Sequence, residues 1–177
     1  MEVTLDTLRG LVRMVSDPSG TGPHAWDLTP LLGDDRAFRA AVERMAAAVA
    51  GEGFHVIASP GAFGASLGSA VAAHLGRRFV QIPAALPRTP PGDTSSANPE
   101  IGRDTAPGPL AAIGPGDRVL FLDAVLATGA TTAACARRLQ RRGANVVGCL
   151  YLIEIPALEG RSLLKDYRVV SVLEEAP

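Results

Sequence analysis

Val119-Leu120-Phe121-Leu122-Asp123-Ala124-Val125-Leu126-Ala127-Thr128-Gly129-Ala130-Thr131-Thr132 is the stretch that decides how this chain is read. Its apolar run Val119–Leu122 suits a buried strand that closes on an acid, Asp123. A short loop of small and hydroxyl residues follows, and Thr132–Leu139 then has helical character. The order is strand, loop, helix. Ala127, Thr128, Gly129, Ala130 and Thr131 at a helix start would offer main-chain N–H groups, hydroxyls and the positive end of the helix dipole, a set that suits a phosphate monoester. Asp123, expected at the carboxyl end of the strand, would face the same crevice. On composition alone the loop is equally an ordinary strand-to-helix turn, because Gly and Thr are common turn and cap residues. It has neither the lysine of a Walker loop nor the glycine spacing of a dinucleotide fingerprint.

Outward from this stretch the same alternation recurs. His55–Ala58 reads as a short buried strand, Ala65–Leu75 as a helix closed by Gly76, and Arg78–Ile82 as a second strand, the spacing of a parallel crossover unit. Arg118–Asp123 is the third strand, the helix after the loop runs to Arg142 before Gly143, and Ala144–Glu154 and Tyr167–Leu173 supply two more strands. Pro156–Leu164 reads as a turn or short helix. Towards the N-terminus, Leu5, Leu8, Leu11, Val12 and Val15 predict an amphipathic helix over 5–17, broken by the Pro/Gly-rich run Asp17–Pro23. Asp34 or Asp35 caps a helix to about Ala50, with Phe38, Val42, Met45 and Val49 on one face. The fold expected is α/β: a doubly wound, mostly parallel sheet flanked by helices, with its ligand crevice at the carboxyl ends of the strands. Residues 83–117 stand apart, with eight of the 14 prolines and no apolar period, and are expected to form a lid on a single domain spanning 1–177.

Composition narrows the function classes. With 177 residues, 47% hydrophobic, 20% charged and a net charge of -1, the chain is a globular protein without the basic stripe of a nucleic-acid binder. No apolar run approaches a membrane span and no signal core is seen, so a cytoplasmic location is expected. Cys135 and Cys149 are expected as core, and His24, His55 and His74 lack ligand spacing, so no protein metal site is expected.

The string Leu126-Ala127-Thr128-Gly129-Ala130-Thr131 resembles the 5-phosphoribosyl-1-pyrophosphate signature of type I phosphoribosyltransferases, in the form carried by their adenine-specific branch. The resemblance extends from about residue 23 to the C-terminus. Trp26-Asp27-Leu28-Thr29-Pro30-Leu31-Leu32 is similar to the family's "Phe-Arg-Asp-Ile-Thr-Pro-Leu-Leu" segment, and Ile153-Glu154 with Leu158-Glu159-Gly160-Arg161 to its "Val-Glu-Leu-x-x-Leu-x-Gly-Arg" end. It implies the type I phosphoribosyltransferase fold, a homodimer, and Mg²⁺ carried on the diphosphate of the donor. It also implies roles: Asp123 on the sugar hydroxyls, Ala127–Thr131 on the 5-phosphate, Ala25 and Trp26 at the base, and Glu100 as general acid towards a purine nitrogen. Read from the residues alone, Glu100 is as well a solvated lid charge and Trp26 as well a core side chain.

Several positions depart from the family pattern. Ala124 stands where the family has a second acid, and Gly61-Ala62-Phe63-Gly64-Ala65 stands where it reads "Asp-Ser-Arg-Gly-Phe". The next basic segment falls on Pro83–Thr89 and keeps at most Arg88, and the lid motif falls on Ala97–Gly102, keeping its acid, Glu100, and losing both tyrosines. Charge-assisted contacts to phosphate are worth roughly 1.5–3 kcal/mol each. The residues therefore predict a cleft that grips a sugar 5-phosphate but neutralises a diphosphate poorly. Two functions follow as expectations: making or breaking a purine N-glycosidic bond by phosphosugar transfer or hydrolysis, or a catalytically inactive protein that binds a nucleotide or sugar phosphate in regulation or interaction.

Overall fold

The computed structural model describes residues 3–15, 25–82 and 109–175. Five strands form a wholly parallel sheet: β3 (Val56–Pro60), β4 (Arg78–Ile82), β5 (Arg118–Leu126), β6 (Asn145–Glu154) and β7 (Val169–Glu174), in the order β4-β3-β5-β6-β7. Before them come α1 (Leu5–Gly10), a two-stranded antiparallel ribbon of β1 (Arg13–Val15) and β2 (Ala25–Asp27), α2 (Thr29–Leu32) and α3 (Asp35–Ala48). Helices α4 (Ala62–Leu75) and α5 (Ala130–Arg141) follow β3 and β5. The expected doubly wound parallel sheet is what the chain forms.

Strand alternation sorts the core into two layers. Leu120, Leu122 and Ala124 of β5 and Leu150 and Leu152 of β6 pack with buried residues of α1, α3 and α4. Val119 and Phe121 of β5 and Val146, Cys149 and Tyr151 of β6 point the other way, onto Ala133, Ala136 and Leu139 of α5. Helix α3 shows why the sequence folds so: Asp34 Oδ1 accepts from Arg36 N and Ala37 N at the start, and Ala37, Ala41 and Met45 are buried one turn apart.

The chain runs outward from β3 to β4 and then crosses back past β3 to β5, so the winding direction reverses between β3 and β5. These two strands pair only from Val56↔Val119 to Ala58↔Phe121. The ends beyond open a crevice at the position where doubly wound sheets hold ligands.

Two expectations need correction. The amphipathic pattern of 5–17 yields a helix only over Leu5–Gly10; Arg13–Val15 is a strand, because its backbone pairs with Ala25–Asp27, and tertiary pairing outweighs the helical period. The third strand does not stop at Asp123 but continues through Ala124, Val125 and Leu126, which pair with β6 as Val125↔Ile153 and Leu126↔Glu154. Of the expected lid, Pro109–Ala112 is a 3₁₀ helix, with Leu110 and Ile113 buried beside α5 and β5. Residues 83–108, with Glu100, and the break at Asp17–Pro23, lie outside the described residues.

Candidate active site

Asp123 and the loop that follows β5 share one cleft. Asp123 and the run Val125–Thr132 line it, around about 280 Å³ of empty space. Thr128, Ala130 and Thr131 are exposed at its mouth, whereas Gly129 and Thr132 are buried. Gly129, at φ 75°, turns the chain into α5 without any side-chain cap. The Ala130 N–H reaches Thr128 Oγ1 only at 3.5 Å, so the first amides of this twelve-residue helix are unclaimed by strong side-chain acceptors. Such amides, with the hydroxyls of Thr128 and Thr131 and the helix dipole, can receive an anion of two charges.

Asp123 is the acid of the cleft. Its carboxyl accepts the Ala124 N–H at 2.7 Å, and loss of water around it pushes its pKa up to about 7, an effect that hydrogen bond only partly offsets. Near neutrality it exists in both protonation states. The first turn of α4 presses on it: a Cβ added at Gly64 would lie 2.7 Å from Asp123 Oδ1. Asp123 therefore sits where the crevice walls from β3–α4 and β5–α5 meet.

The β3–α4 wall is chemically bare. Gly61 (φ 60°) opens α4 without a side-chain cap, and Ala62, Phe63, Gly64 and Ala65 bring no charge. Phe63 is half-buried against the core layer. Ala124, the position of the replaced acid, is 3% exposed in that same layer. A carboxylate restored there would be buried in an apolar layer.

Trp26 and Ala25 lie on β2. Trp26 is half-buried, packs against the core layer and pairs across the ribbon with Met14, while Ala25 pairs with Val15. Asp27 beside them accepts the Thr29 N–H at 2.8 Å, and hydrogen bonds from Thr29 hold its carboxyl below the usual range. Cys135 and Cys149 are buried and free, and burial raises both thiols, Cys149 to about 12, so neither offers a thiolate at neutral pH. Among the described residues no group of three or more His, Cys, Asp or Glu could hold a metal ion.

Sequence reasoning missed the groups behind the loop. Thr132 Oγ1 and Tyr151 OH share a buried hydrogen bond of 2.6 Å. Gly160 and the 3₁₀ helix Gly160–Leu164 lie under Gly129, and Arg161 forks onto Glu154. The signal was present in the Glu154 and Gly160-Arg161 segments, but spacing along the chain could not place them beneath residues 127–131.

Comparison with solved structures gives the class first. The crystal structure of adenine phosphoribosyltransferase from Thermoanaerobacter pseudethanolicus matches with a TM-score of 0.80 at 27% identity, covering 97% of this chain and 100% of that one. The fold is that of the type I phosphoribosyltransferases. Adenine phosphoribosyltransferase from Synechococcus sp. is 42% identical over 160 residues, 89% of this chain and 90% of the relative. The Desulfitobacterium hafniense protein of the same name is 40% identical over 165 residues, 92% and 94% of the two chains. No family model matches the chain. This chain belongs to the adenine phosphoribosyltransferase family.

Proposed function

We propose that the protein binds a purine and a phosphorylated sugar and transfers the phosphosugar at the purine N-glycosidic bond, as its relatives' names describe. The observation that carries this reading is the one cleft shared by a half-buried acid, Asp123, and the uncapped amides of residues 127–132. In this reading Ala127–Thr131 hold the 5-phosphate, fixing one end of the sugar. Asp123, as carboxylate, accepts from the sugar hydroxyls and stabilises the positive charge that grows on the ring as the anomeric C–O bond breaks. Ala25 and Trp26 take the base side, and Glu100 accepts the proton that the purine loses as its nitrogen bonds to the anomeric carbon and, as general acid, returns it to the purine nitrogen when that bond is broken. Mg²⁺ would come with a diphosphate leaving group, since Asp123 is the one carboxylate among the described residues lining the cleft. The same reading takes the 177 residues as one domain, paired as a homodimer and working in the cytoplasm.

A second reading is favoured by the uncharged β3–α4 wall. Without a cation at Phe63 and with Ala124 in place of an acid, the cleft would hold a nucleotide or sugar monophosphate in a regulatory or hydrolytic role and bind a diphosphate donor weakly. Calorimetry with ribose 5-phosphate, AMP and 5-phosphoribosyl 1-pyrophosphate, beside turnover of adenine with that donor, separates the two. Steady AMP formation supports transfer. Micromolar AMP binding with no donor binding and no turnover supports the second reading, and the absence of binding by all three ligands defeats both.

A further inference from the structure

The loop 127–131 has little of its own to hold its shape. Helix α5 lacks a side-chain cap, the Thr128 contact is at the limit of a hydrogen bond, and Gly129 adopts a left-handed φ. Its backing comes from outside, from the 3₁₀ helix Gly160–Leu164. A Cβ added at Gly129 would stand 2.5 Å from the Gly160 carbonyl oxygen and 3.4 Å from Leu164 Cγ, and a Cβ added at Gly160 would run into the Ala127 carbonyl oxygen and lie 2.7 Å from Leu126 Cδ1. The two backbones are stacked with no side chain between them.

What fixes the 3₁₀ helix is a forked ion pair. Arg161 Nε donates to Glu154 Oε1 at 2.7 Å and Nη2 to Glu154 Oε2 at 2.6 Å, while Nη1 reaches the Val169 carbonyl oxygen at 3.1 Å. Ser171 Oγ donates to Glu154 Oε2 at 2.8 Å. Glu154 is 5% exposed and is the last residue of β6, directly across from Leu126, the last residue of β5 before the loop. The Ile155 N–H completes the frame with a 2.9 Å bond to the Leu126 carbonyl oxygen. A two-toothed contact sets both the distance and the rotation of the segment it holds, which a single point charge does not.

We propose that Arg161 and Glu154 are positioning residues for the phosphate loop: their fork presses Gly160 against Ala127 and Gly129 and so aims the amides of residues 127–131 at the sugar 5-phosphate. The inference rests on the reading of that loop as the 5-phosphate site. Neither side chain lines the cleft, so their influence on ligand passes through the backbone of Gly160.

The test titrates the whole protein separately with ribose 5-phosphate and with adenine, and follows folding by circular dichroism. Arg161→Met is expected to weaken ribose 5-phosphate roughly ten- to a hundredfold with adenine affinity unchanged, and Arg161→Lys, which keeps the charge but not the fork, to fall between wild type and Arg161→Met. Because Arg161→Met leaves a buried carboxylate unpaired, the double variant Glu154→Gln with Arg161→Met provides a folded protein with no stranded charge, and it should show the same selective loss. Folded variants that bind ribose 5-phosphate as wild type does overturn the latch while leaving the loop assignment intact. Equal weakening of both ligands also overturns it, by showing general loosening of the fold. If wild type itself fails to bind ribose 5-phosphate, the loop assignment falls and the latch with it.

Discussion

The two walls of the crevice carry the same backbone device and opposite chemistry. Gly129 at φ 75° and Gly61 at φ 60° each turn a strand into a helix, at the ends of β5 and β3. Around Gly129 everything is filled: Gly160 and Leu164 lie beneath it, and Asp123 and the threonines stand beside it. Around Gly61 an added Cβ would meet nothing within 4 Å, and the next four residues bring no charge. One wall is built to a fixed shape and the other is open and neutral. A phosphate held by rigid amides needs no cation, because the amides are already aimed at it; a diphosphate leaving group with several charges does.

Substitutions can break that contrast, beginning with the filled wall. Gly129→Ala is expected to weaken ribose 5-phosphate by about a hundredfold or more, because a methyl group meets the Gly160 carbonyl oxygen and the φ disfavours any side chain; calorimetry measures it, and a tenfold or smaller change would show that the loop adapts. Asp123→Asn should lower turnover of adenine with donor by about a hundredfold, since an amide cannot offset ring charge, as read in a steady-state assay.

The same substitution tests the electrostatics. The folded pKa of about 7 lies above the unfolded 3.8, so the folded state holds this proton more tightly. The associated stabilisation is complete below the unfolded value and is lost as pH rises through about 7. Thermal unfolding of wild type should therefore lose ground to Asp123→Asn between pH 5 and pH 8. Parallel melting curves across that range would show that Asp123 is better hydrated than its surroundings indicate.

The open wall should respond more gently. Phe63→Arg, which places a guanidinium at the first turn of α4, should raise affinity for 5-phosphoribosyl 1-pyrophosphate by about tenfold, the weight of one charge-assisted contact, and leave ribose 5-phosphate unchanged. No gain would mean that charge at this wall is not what limits donor binding. Gly61→Ala should cost about 1–3 kcal/mol of stability through its strained φ yet change ribose 5-phosphate affinity by less than about twofold, provided the two walls act independently. Denaturant unfolding and calorimetry on one preparation check both halves of that expectation.

Much of the site was legible along the chain because it is local. Strand, acid, loop and helix from Val119 to Leu139 are contiguous, so one window of sequence held Asp123 and residues 127–131 together, and the parallel crossover rule did the rest. The strand's true end was not legible: Ala124-Val125-Leu126 reads as loop or strand until β6 is there to pair with it. Trp26 is similar, since an aromatic beside Asp27 has no side until a partner strand, Arg13–Val15, gives it one. The fork of Arg161 on Glu154 spans seven residues and was quoted as part of a motif, but its purpose depends on Gly160 lying under a loop more than thirty residues earlier.

By itself the sequence determined the α/β alternation, the strand–loop–helix that makes an anion-receiving turn, and the loss of charge from the residues that follow β3. These are properties of periodicity, glycine placement and side-chain type, which the chain carries wherever it goes. Only the tertiary structure decided that Asp123 would be dry enough to titrate near neutrality, that Gly64 would touch it, and that a 3₁₀ helix from the far end of the chain would prop the loop. Desolvation and close backbone approach are relations between segments distant in sequence, and they come into being only when the sheet brings the ends of β3, β5 and β6 together.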